Sequence, residues 1–424
     1  MPIAFFLLSL LTALFPVLVV RDGLAAQSLF AALAALILAI AAVAARAADV
    51  QFAVRVTRWL GLAAAIPVLL MVIQLLPMPF PGLSHTIWIN GNEALDQNAW
   101  GHISVDLGKT LGALAFYLAN IALILASILV ARNHLHAGRL LIVLGASTIL
   151  TVVALLVDRM LHVFSFALGN PQEVLGAASA LGLVLSLAAG AAGIERRGSP
   201  AKKSSRFFLF ASGAGMLICG AGLATAANAN IAIVAAFGAA IFASNQCIRR
   251  LKLAAWTTTV LLATLMTAAA MIVVWRFDAN RALSPLLQFA TAASTGSLTV
   301  AQRLLSDTGW LGTGAGTYTV LLPIYEFGGA ATVPSTATAL TVELGLPMAL
   351  VAILTGVGLV ITLYNGALTR GRDSFYAAAA ASGVVILLGQ AFCDASLLHA
   401  GVAGIGDVLV GIGLAQSVSR ADMV

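Results

Sequence analysis

The sequence predicts an all-α, polytopic membrane protein with about twelve transmembrane helices. Hydrophobic residues make up 61% of its 424 residues and charged residues only 9%, whereas about 25% of residues are charged in soluble domains. Runs of about 20 apolar residues, each long enough to cross a bilayer, recur along the chain. Basic residues gather in every second connection between these runs. A soluble protein is therefore excluded, and the net charge of +6 does not indicate nucleic-acid binding because it lies in short loops.

The apolar runs give the order of the spans. The first run has neither a basic leader nor a clear cleavage site, so we expect it to be a retained span and not a signal peptide. Small residues are abundant in the runs and favour close helix packing in lipid. The spans are predicted near 2–20, 24–45, 59–77, 110–131, 140–157, 174–194, 207–226, 229–247, 253–275, 337–364, 375–393 and 397–418.

The distribution of basic residues predicts that both termini are cytoplasmic. By the positive-inside rule, the loops that are rich in lysine and arginine face the cytoplasm. The opposite set holds fewer basic residues and is expected to face outward. The inward set is Arg46, Arg55, Arg58, Arg132, Arg139, Arg196, Arg197, Lys202, Lys203, Arg206, Arg249, Arg250, Lys252, Arg370, Arg372 and Arg420, and the outward set is Arg21, Lys109, Arg159, Arg276, Arg281 and Arg303.

Two outward loops are long, near 78–109 and 276–336, and the other connections are short. The sequence has no evident repeat or linker, so we expect a single transmembrane domain over residues 1–424. The inward segment 195–206 reads as a solvated loop whose basic residues can also contact anionic membrane lipid.

The second long loop contains the stretch GTGAGTY, at 312–318. It does not have the G-x-G-x-x-G spacing of a dinucleotide site, and no Lys-Ser/Thr pair follows it. Glycines in such a stretch permit either a tight turn or close packing of loop on helix. An outward loop is also not a place where ATP is expected, so the nucleotide interpretation is set aside.

Besides Arg21, four arginines lie on the predicted outer side: Arg159, Arg276, Arg281 and Arg303. Guanidinium groups bind phosphate in a forked, bidentate geometry. A basic pocket at the outer bilayer edge would suit a lipid-linked pyrophosphate. The alternative is that these side chains are interfacial anchors or partners in simple ion pairs.

The segment 298–347 resembles the O-antigen ligase and polymerase family of bacterial envelope biosynthesis. Asp307, Gly312, Gly314, Gly316 and Tyr318 match the glycine element of that family, and Tyr325 matches the tyrosine that follows it. Glu343, Gly345 and Pro347 match the start of its next span. The stretch HISVDLGKT, at 102–110, is similar to its first outward loop, and 166–185 is similar to the head of a later span.

The chain departs from that pattern at three positions. Pro334 stands where the family has a histidine that serves as base or activator, and Ser335 stands at the asparagine position. The family often has an arginine before the glycine element; that position falls near Ser294, where this chain has no arginine. Either different residues perform the chemistry here, or catalysis has been lost.

The resemblance implies glycosyl transfer at the outer face of the bacterial inner membrane by a metal-independent, inverting transferase without a cofactor. The donor would be a glycan on undecaprenyl pyrophosphate, and the acceptor lipid A core or another glycan. A polymerase could also work with a chain-length regulator. We expect Arg159, Arg276, Arg281 and Arg303 to bind the pyrophosphate as it departs.

The remaining site residues carry the acceptor chemistry in this interpretation. Asp307, Glu326 and His162 are candidate bases or orienting groups, and the alternative for the two carboxylates is an ion pair with a nearby arginine. Tyr318 and Tyr325 are expected to contact sugar rings, unless they are interfacial residues. Gly312, Gly314 and Gly316 would let the loop backbone approach the lipid head group.

Four residues are placed in or near predicted spans. We expect Glu343 to hold the following helix to the glycine loop, and Asp394 and His399 to form a buried pair. Asp407 is a carboxylate within the last span, where charge is costly and often functional. Two other functions stay open: a non-catalytic partner in polysaccharide assembly, and a flippase or transporter, although a carrier usually shows repeat symmetry.

Overall fold

The computed structural model describes residues 1–21, 23–79, 82, 84–96, 100–161, 171–195, 202–251, 264, 283–325, 331–370 and 373–417. The described chain is almost entirely helical and contains no strand beyond the isolated bridge between Met78 and Gly101. The prediction of an all-α, polytopic membrane protein is confirmed.

Eleven of the described helices are long and apolar enough to cross a membrane. Proline at the first helical turn begins several of them, which is favourable because the first-turn N–H has no helical partner anyway. They are α1 Pro2–Val20, α2 Leu24–Ala44, α3 Ala47–Leu75, α5 Leu107–Ala131, α6 His134–Leu161, α7 Pro171–Glu195, α8 Lys202–Ala224, α9 Ala229–Leu251, α13 Leu346–Thr369, α14 Phe375–Cys393 and α15 Ala400–Ser417.

Four described helices are too short to span. The first long loop of the sequence prediction forms one of them and the second forms two, whereas the fourth is the beginning of the predicted span 337–364. They are α4 Thr86–Leu95, α10 Thr295–Asp307, α11 Tyr318–Tyr325 and α12 Thr336–Leu344. Two short 3₁₀ turns, Pro285–Leu287 and Ser396–Leu398, accompany them.

The spans match the sequence prediction with three differences. Helix α3 begins at Ala47 and not near 59, so Arg55 and Arg58, which were predicted in an inward loop, lie within this helix. The predicted span 253–275 lies outside the described residues, apart from Thr264. The predicted span 337–364 is two helices, because Gly345 has a φ of +85° and breaks the helix between α12 and α13. Apolarity alone did not show this break, since both helices are apolar and only one glycine separates them.

The centre of the bundle is formed by α7, α14 and α15, whose residues are the most buried of the spans. Small residues allow these helices to approach closely. Gly413 lies against the Ala380 methyl group, and Gly411 lies against Ser127 of α5. A lipid-facing bundle gains stability from such close van der Waals packing, because lipid tails are as apolar as the side chains they would replace.

Contacts between helix ends show which ends lie on the same side of the bundle. At one end, Arg132 pairs with Asp49, and Arg249 lies 3.6 Å from Glu195. At the other end, the Asn228 amide donates to the carbonyls of Phe289 and Cys393, at 2.9 and 2.8 Å. The first end carries the basic loops, and the second end carries α10, α11 and α12. By the charge rule, the second end faces outward.

Single-cysteine labelling tests this orientation. In a variant with Ala at Cys219, Cys247 and Cys393, Ser306→Cys on α10 should react with a membrane-impermeant maleimide in intact cells. Asn133→Cys, between α5 and α6, should react only after the membrane is opened. Reaction of Asn133→Cys in intact cells, with Ser306→Cys protected, would reverse the assignment of the two faces.

Candidate functional site

The glycine-rich stretch of the sequence forms a fixed loop, residues 311–317, which we call the glycine loop. Gly312, Gly314 and Gly316 have φ values of +72°, +110° and +76°. This left-handed region is open to glycine and strained for other residues. The alternation of glycines in the sequence is therefore explained by the backbone path of the loop itself.

Close backbone packing is a second reason for glycine here. A Cβ atom on Gly312 would lie 2.2 Å from the carbonyl oxygen of Glu343, and one on Gly314 would lie 2.5 Å from the Ser104 hydroxyl. On Gly345, just after α12, a Cβ would lie 2.0 Å from the carbonyl oxygen of Trp310. The loop and the end of α12 thus approach at distances that no side chain allows.

The glycine loop pairs with the last turn of α12 through the backbone. The N–H of Thr313 donates to the carbonyl of Val342, and the N–H of Gly314 donates to the carbonyl of Glu343, both at 3.0 Å. The last carbonyls of a helix have no partner within the helix. The loop supplies those partners and fixes its own position in doing so.

Glu343, in the last turn of α12, connects that helix to the glycine loop. Its carboxylate accepts hydrogen bonds from the backbone N–H groups of Gly316 and Tyr318, the latter at 3.1 Å. Burial raises the pKa of Glu343 to about 7, although the two N–H groups act in the opposite direction. The prediction that Glu343 holds its helix to the glycine loop is confirmed.

Gln74, near the end of α3, was not identified from the sequence. Its fully buried side-chain amide donates to the carbonyls of Leu311 and Glu343, at 2.8 and 2.9 Å. Its amide oxygen accepts from the N–H of Ala315 at 3.2 Å. The one available signal was a glutamine near the end of an otherwise apolar run, and nothing local in the sequence relates it to residues about 240 positions later.

The first outward loop completes the enclosure. Thr110 donates to the carbonyl of Ala315 at 3.0 Å, and its hydroxyl lies 2.7 Å from that of Ser104. The N–H of Val105 donates to the carbonyl of Thr313 at 2.9 Å. Two stretches that the family resemblance singled out separately, 102–110 and 312–318, are therefore in direct contact.

On the outer side, the structure brings two of the predicted site residues together. Tyr325, at the end of α11, and Asp307, at the end of α10, share a side-chain hydrogen bond. Partial burial raises the pKa of Tyr325, and the hydrogen bond and charge of Asp307 raise it further. Arg303 is exposed and lies one helical turn before Asp307 on α10.

Tyr318 has a different environment from the one we expected. It is 1% exposed and packs among Val300, Leu304 and Val342. Burial raises its pKa, and the nearby Glu343 carboxylate raises it further. In this structure its ring supports the loop from within and presents no face to a sugar, because α10 and α12 cover it.

Of the four predicted arginines, the structure describes Arg159 and Arg303. Arg159, at the outer end of α6, donates to the carbonyl of Thr225 at the end of α8. Arg303 lies on α10, which packs on α11 and α12. The other predicted site residues lie outside the described residues: His162, Arg276, Arg281 and Glu326.

A second group of ionisable side chains lies at the opposite end of α12. Asp394 is buried and accepts from the N–H and hydroxyl of Ser396. Burial raises its pKa to about 7, the hydrogen bonds from Ser396 and the charge of His399 oppose this, and Glu173 adds to it. The N–H of Ala395 donates to Glu173 at 3.3 Å. The charge of His399 acts on Asp394, but the expected buried pair is not found, because His399 is only partly buried and Oδ2 of Asp394 accepts no hydrogen bond among the described residues.

This group lies beside the position where the resembling family has its histidine. The N–H of Thr336 donates to the carbonyl of Asp394 at 2.9 Å. Ser335, immediately before it, is the N-cap of α12 and accepts from the N–H of Thr338 at 3.2 Å. Pro334 thus stands at the histidine position, and the residue after it, Ser335, caps α12 next to the Thr336–Asp394 contact.

Comparison with known proteins finds no family model and no curated protein that matches the chain. Among the described residues, no three His, Cys, Asp or Glu side chains are arranged to hold a metal ion.

Alanine substitutions test the glycine loop. Gly312→Ala and Gly345→Ala should each lower the thermal unfolding temperature of the detergent-solubilised protein by several degrees, because a Cβ collides with a backbone carbonyl and φ is positive at both positions. Gly309→Ala is the matched control, since a Cβ there has no neighbour within 4 Å. Equal unfolding temperatures for all three variants would contradict the packing.

The raised pKa values predict that stability falls as pH rises. Asp394 and Glu343 have ordinary pKa values of 3.8 and 4.5 and values of about 7 in the fold, so the folded state binds more protons between those limits. Their contribution is complete below about pH 4 and is lost as pH rises through 7. Thermal unfolding between pH 5 and 8 should show this decline.

Asp394→Asn is the control for that experiment, because asparagine keeps the shape of the carboxyl group without its titration. Its unfolding temperature should decline less between pH 5 and 8 than that of the wild type. An identical slope in both proteins would show that Asp394 does not titrate in this range.

Proposed function

We propose that the protein transfers a glycan from a polyprenyl-pyrophosphate carrier to an acceptor hydroxyl at the outer face of the bacterial inner membrane. The observation that carries the proposal is the meeting of three distant segments. Residues 102–110, 312–318 and 343–347 resemble elements of one transferase family, and here they form one hydrogen-bonded unit. We call this unit the outer platform.

A fixed platform suits this chemistry because the reaction depends on positioning. The departing pyrophosphate gains negative charge, and groups that are already oriented stabilise it without reorganisation. In the outer platform, buried hydrogen bonds from Gln74, Glu343 and Thr110 hold the loop backbone. Because the loop is held, the exposed residues on the helices next to it keep a constant arrangement.

Arg303 is the described residue that we assign to the pyrophosphate. It is exposed on α10, one turn from the Asp307–Tyr325 pair, and its guanidinium can make two parallel hydrogen bonds to phosphate oxygens. Exposed apolar side chains surround this surface, with Trp310 80% and Ile324 59% accessible. Trp is typical of the membrane–water interface, which is where the head group of a lipid carrier lies.

Removal of the acceptor proton is assigned to the group at the start of α12. His399 is only partly buried, and it lies beside Asp394, whose pKa is about 7. A carboxyl group with a pKa near neutral, such as that of Asp394, is suited to act as a general base. This assignment supplies a base beside Ser335 in place of the histidine of the resembling family.

Mutation of Arg303 tests the proposal in cells that depend on this chain for long-chain glycan. Arg303→Ala should reduce long-chain glycan about 100-fold, as expected when one charge-stabilising donor is removed. Arg303→Lys should retain part of the activity, because lysine keeps the charge but not the forked geometry. Arg139→Ala, on the inner end of α6, is the control.

The outcome also separates the other candidate functions. Normal glycan in Arg303→Ala, with the knockout defective, would favour a non-catalytic partner in assembly. Lipid-linked donor that accumulates on the cytoplasmic face in the knockout would favour a flippase. Long-chain glycan in the knockout itself would overturn the proposal.

A further inference from the structure

A cavity of about 570 Å³ opens between α3, α5, α13 and α15, within the membrane-spanning part of the bundle, and Leu340 and Leu344 of α12 complete its wall. Its walls are mostly apolar and include Leu60, Pro67, Met348 and Leu359. Both α3 and α13 expose most of their surface to the bilayer. A molecule dissolved in the lipid can therefore enter the cavity from the side.

Five polar side chains line this cavity, and three of them have hydrogen-bond partners in the backbone. Thr57 donates to the carbonyl of Ala53, and Thr355 donates to that of Val351. The Tyr117 hydroxyl donates to the carbonyl of Ala64 at 3.3 Å. These groups are satisfied within the protein and call for no ligand.

The other two polar side chains, Asp407 and Asn120, are not satisfied. Among the described residues, Oδ2 of Asp407 and Oδ1 of Asn120 are buried and accept no hydrogen bond. Both helices run from the outer to the inner end, and Gly411 of α15 packs on Ile124 and Ser127 of α5. Asp407 and Asn120 lie about one turn before these contacts, so they face the cavity at a similar depth.

The charge of the cavity limits what can bind. Among the described residues that line it, Asp407 is the one aspartate, and there is no glutamate, lysine, arginine or histidine. A carboxylate without a partner in a membrane span is costly, and such residues mark ligand or ion sites. An anion would have no positive partner here. A Ca²⁺ or Mg²⁺ ion would find two side chains, whereas these ions take six or more oxygen ligands.

We propose that this cavity binds an apolar amine, whose protonated nitrogen donates hydrogen bonds to Asp407 and Asn120 while its hydrocarbon part contacts the apolar walls. The volume is within the range of cavities that bind small organic molecules. Without a ligand, an unpaired carboxyl group at this depth keeps its proton, because burial disfavours its charge. A tight ligand therefore has two requirements to meet: hydrogen bonds to both side chains, and uptake of that proton to leave an ion pair, which is strong at low dielectric. A neutral alcohol meets only the first. The amine satisfies both requirements, and the site is independent of the proposed glycan transfer.

Three probes that share one hydrocarbon cage test this site: 1-adamantylamine, 1-adamantanol and 1-adamantanecarboxylate. Binding is measured by equilibrium dialysis with the full chain in lipid nanodiscs, and partition into empty nanodiscs is subtracted. The amine should bind saturably, with one molecule per chain. The alcohol should bind at least tenfold more weakly, and the carboxylate should not bind.

Substitutions in the cavity locate the binding. Asp407→Asn should weaken binding of the amine at least tenfold and leave binding of the alcohol unchanged. Thr355→Val is the matched control, because it removes a polar group of the same cavity whose hydrogen bond is already made within α13. Equal affinity of the amine and the alcohol, or full amine binding by Asp407→Asn, would overturn the proposal.

A measurement on the wild-type chain covers the case in which Asp407→Asn does not fold. Dicyclohexylcarbodiimide is an apolar reagent for protonated carboxyl groups, and mass spectrometry can locate its adduct. 1-Adamantylamine should slow modification of Asp407, and 1-adamantanol should have little effect. Modification of Asp407 at an unchanged rate in the presence of the amine would contradict the site.

Discussion

The outer half of this molecule depends on the pairing between the glycine loop and the last turn of α12. Backbone N–H and C=O groups near a membrane need partners inside the protein, because hydrocarbon offers none. Here the loop N–H groups at Thr313 and Gly314 bind the terminal carbonyls of α12, and the carboxylate of Glu343 binds two more N–H groups. Each buried N–H left without a partner would cost about 1–3 kcal/mol.

That pairing explains the other features of the outer platform. Gln74 comes from a span more than 200 residues earlier and contributes three hydrogen bonds to the loop and α12. Thr110 and Ser104 close the opposite side. With its backbone held on both sides, the loop sets where α11 begins, and α11 in turn carries Tyr325 to Asp307.

The short helix α12 connects two ionisable centres. Asp394 lies at its first turn and Glu343 in its last, and a helix of this length separates them by about 10 Å. Both carboxyl groups titrate near neutral pH because they are buried. Their surroundings differ, since Glu343 is enclosed by backbone donors and Asp394 has His399 and Glu173 beside it. We therefore assign scaffolding to Glu343 and proton transfer to the Asp394 end.

The sequence alone determined the fold class, the positions of the described spans and the identity of the outer loops. Apolar run length and the alternation of basic loops are local signals that hold whatever the tertiary packing. The sequence also identified Glu343 as the contact between the loop and its helix, because a carboxylate in an apolar segment requires a partner. The glycine spacing left a tight turn and close packing both open, and the positive φ angles are known only from the structure.

Only the tertiary structure decided which residues share a site. Gln74 and Thr110 are ordinary polar residues of apolar helices, and their role depends on contacts across more than 200 positions of the chain. The burial of Tyr318 likewise depends on α10 and α12 covering its ring. Asp407 was visible as a costly charge in a span, but its cavity is formed by four helices that are distant in sequence. Such contacts are set by how the helices pack, which local patterns of apolarity and charge do not encode.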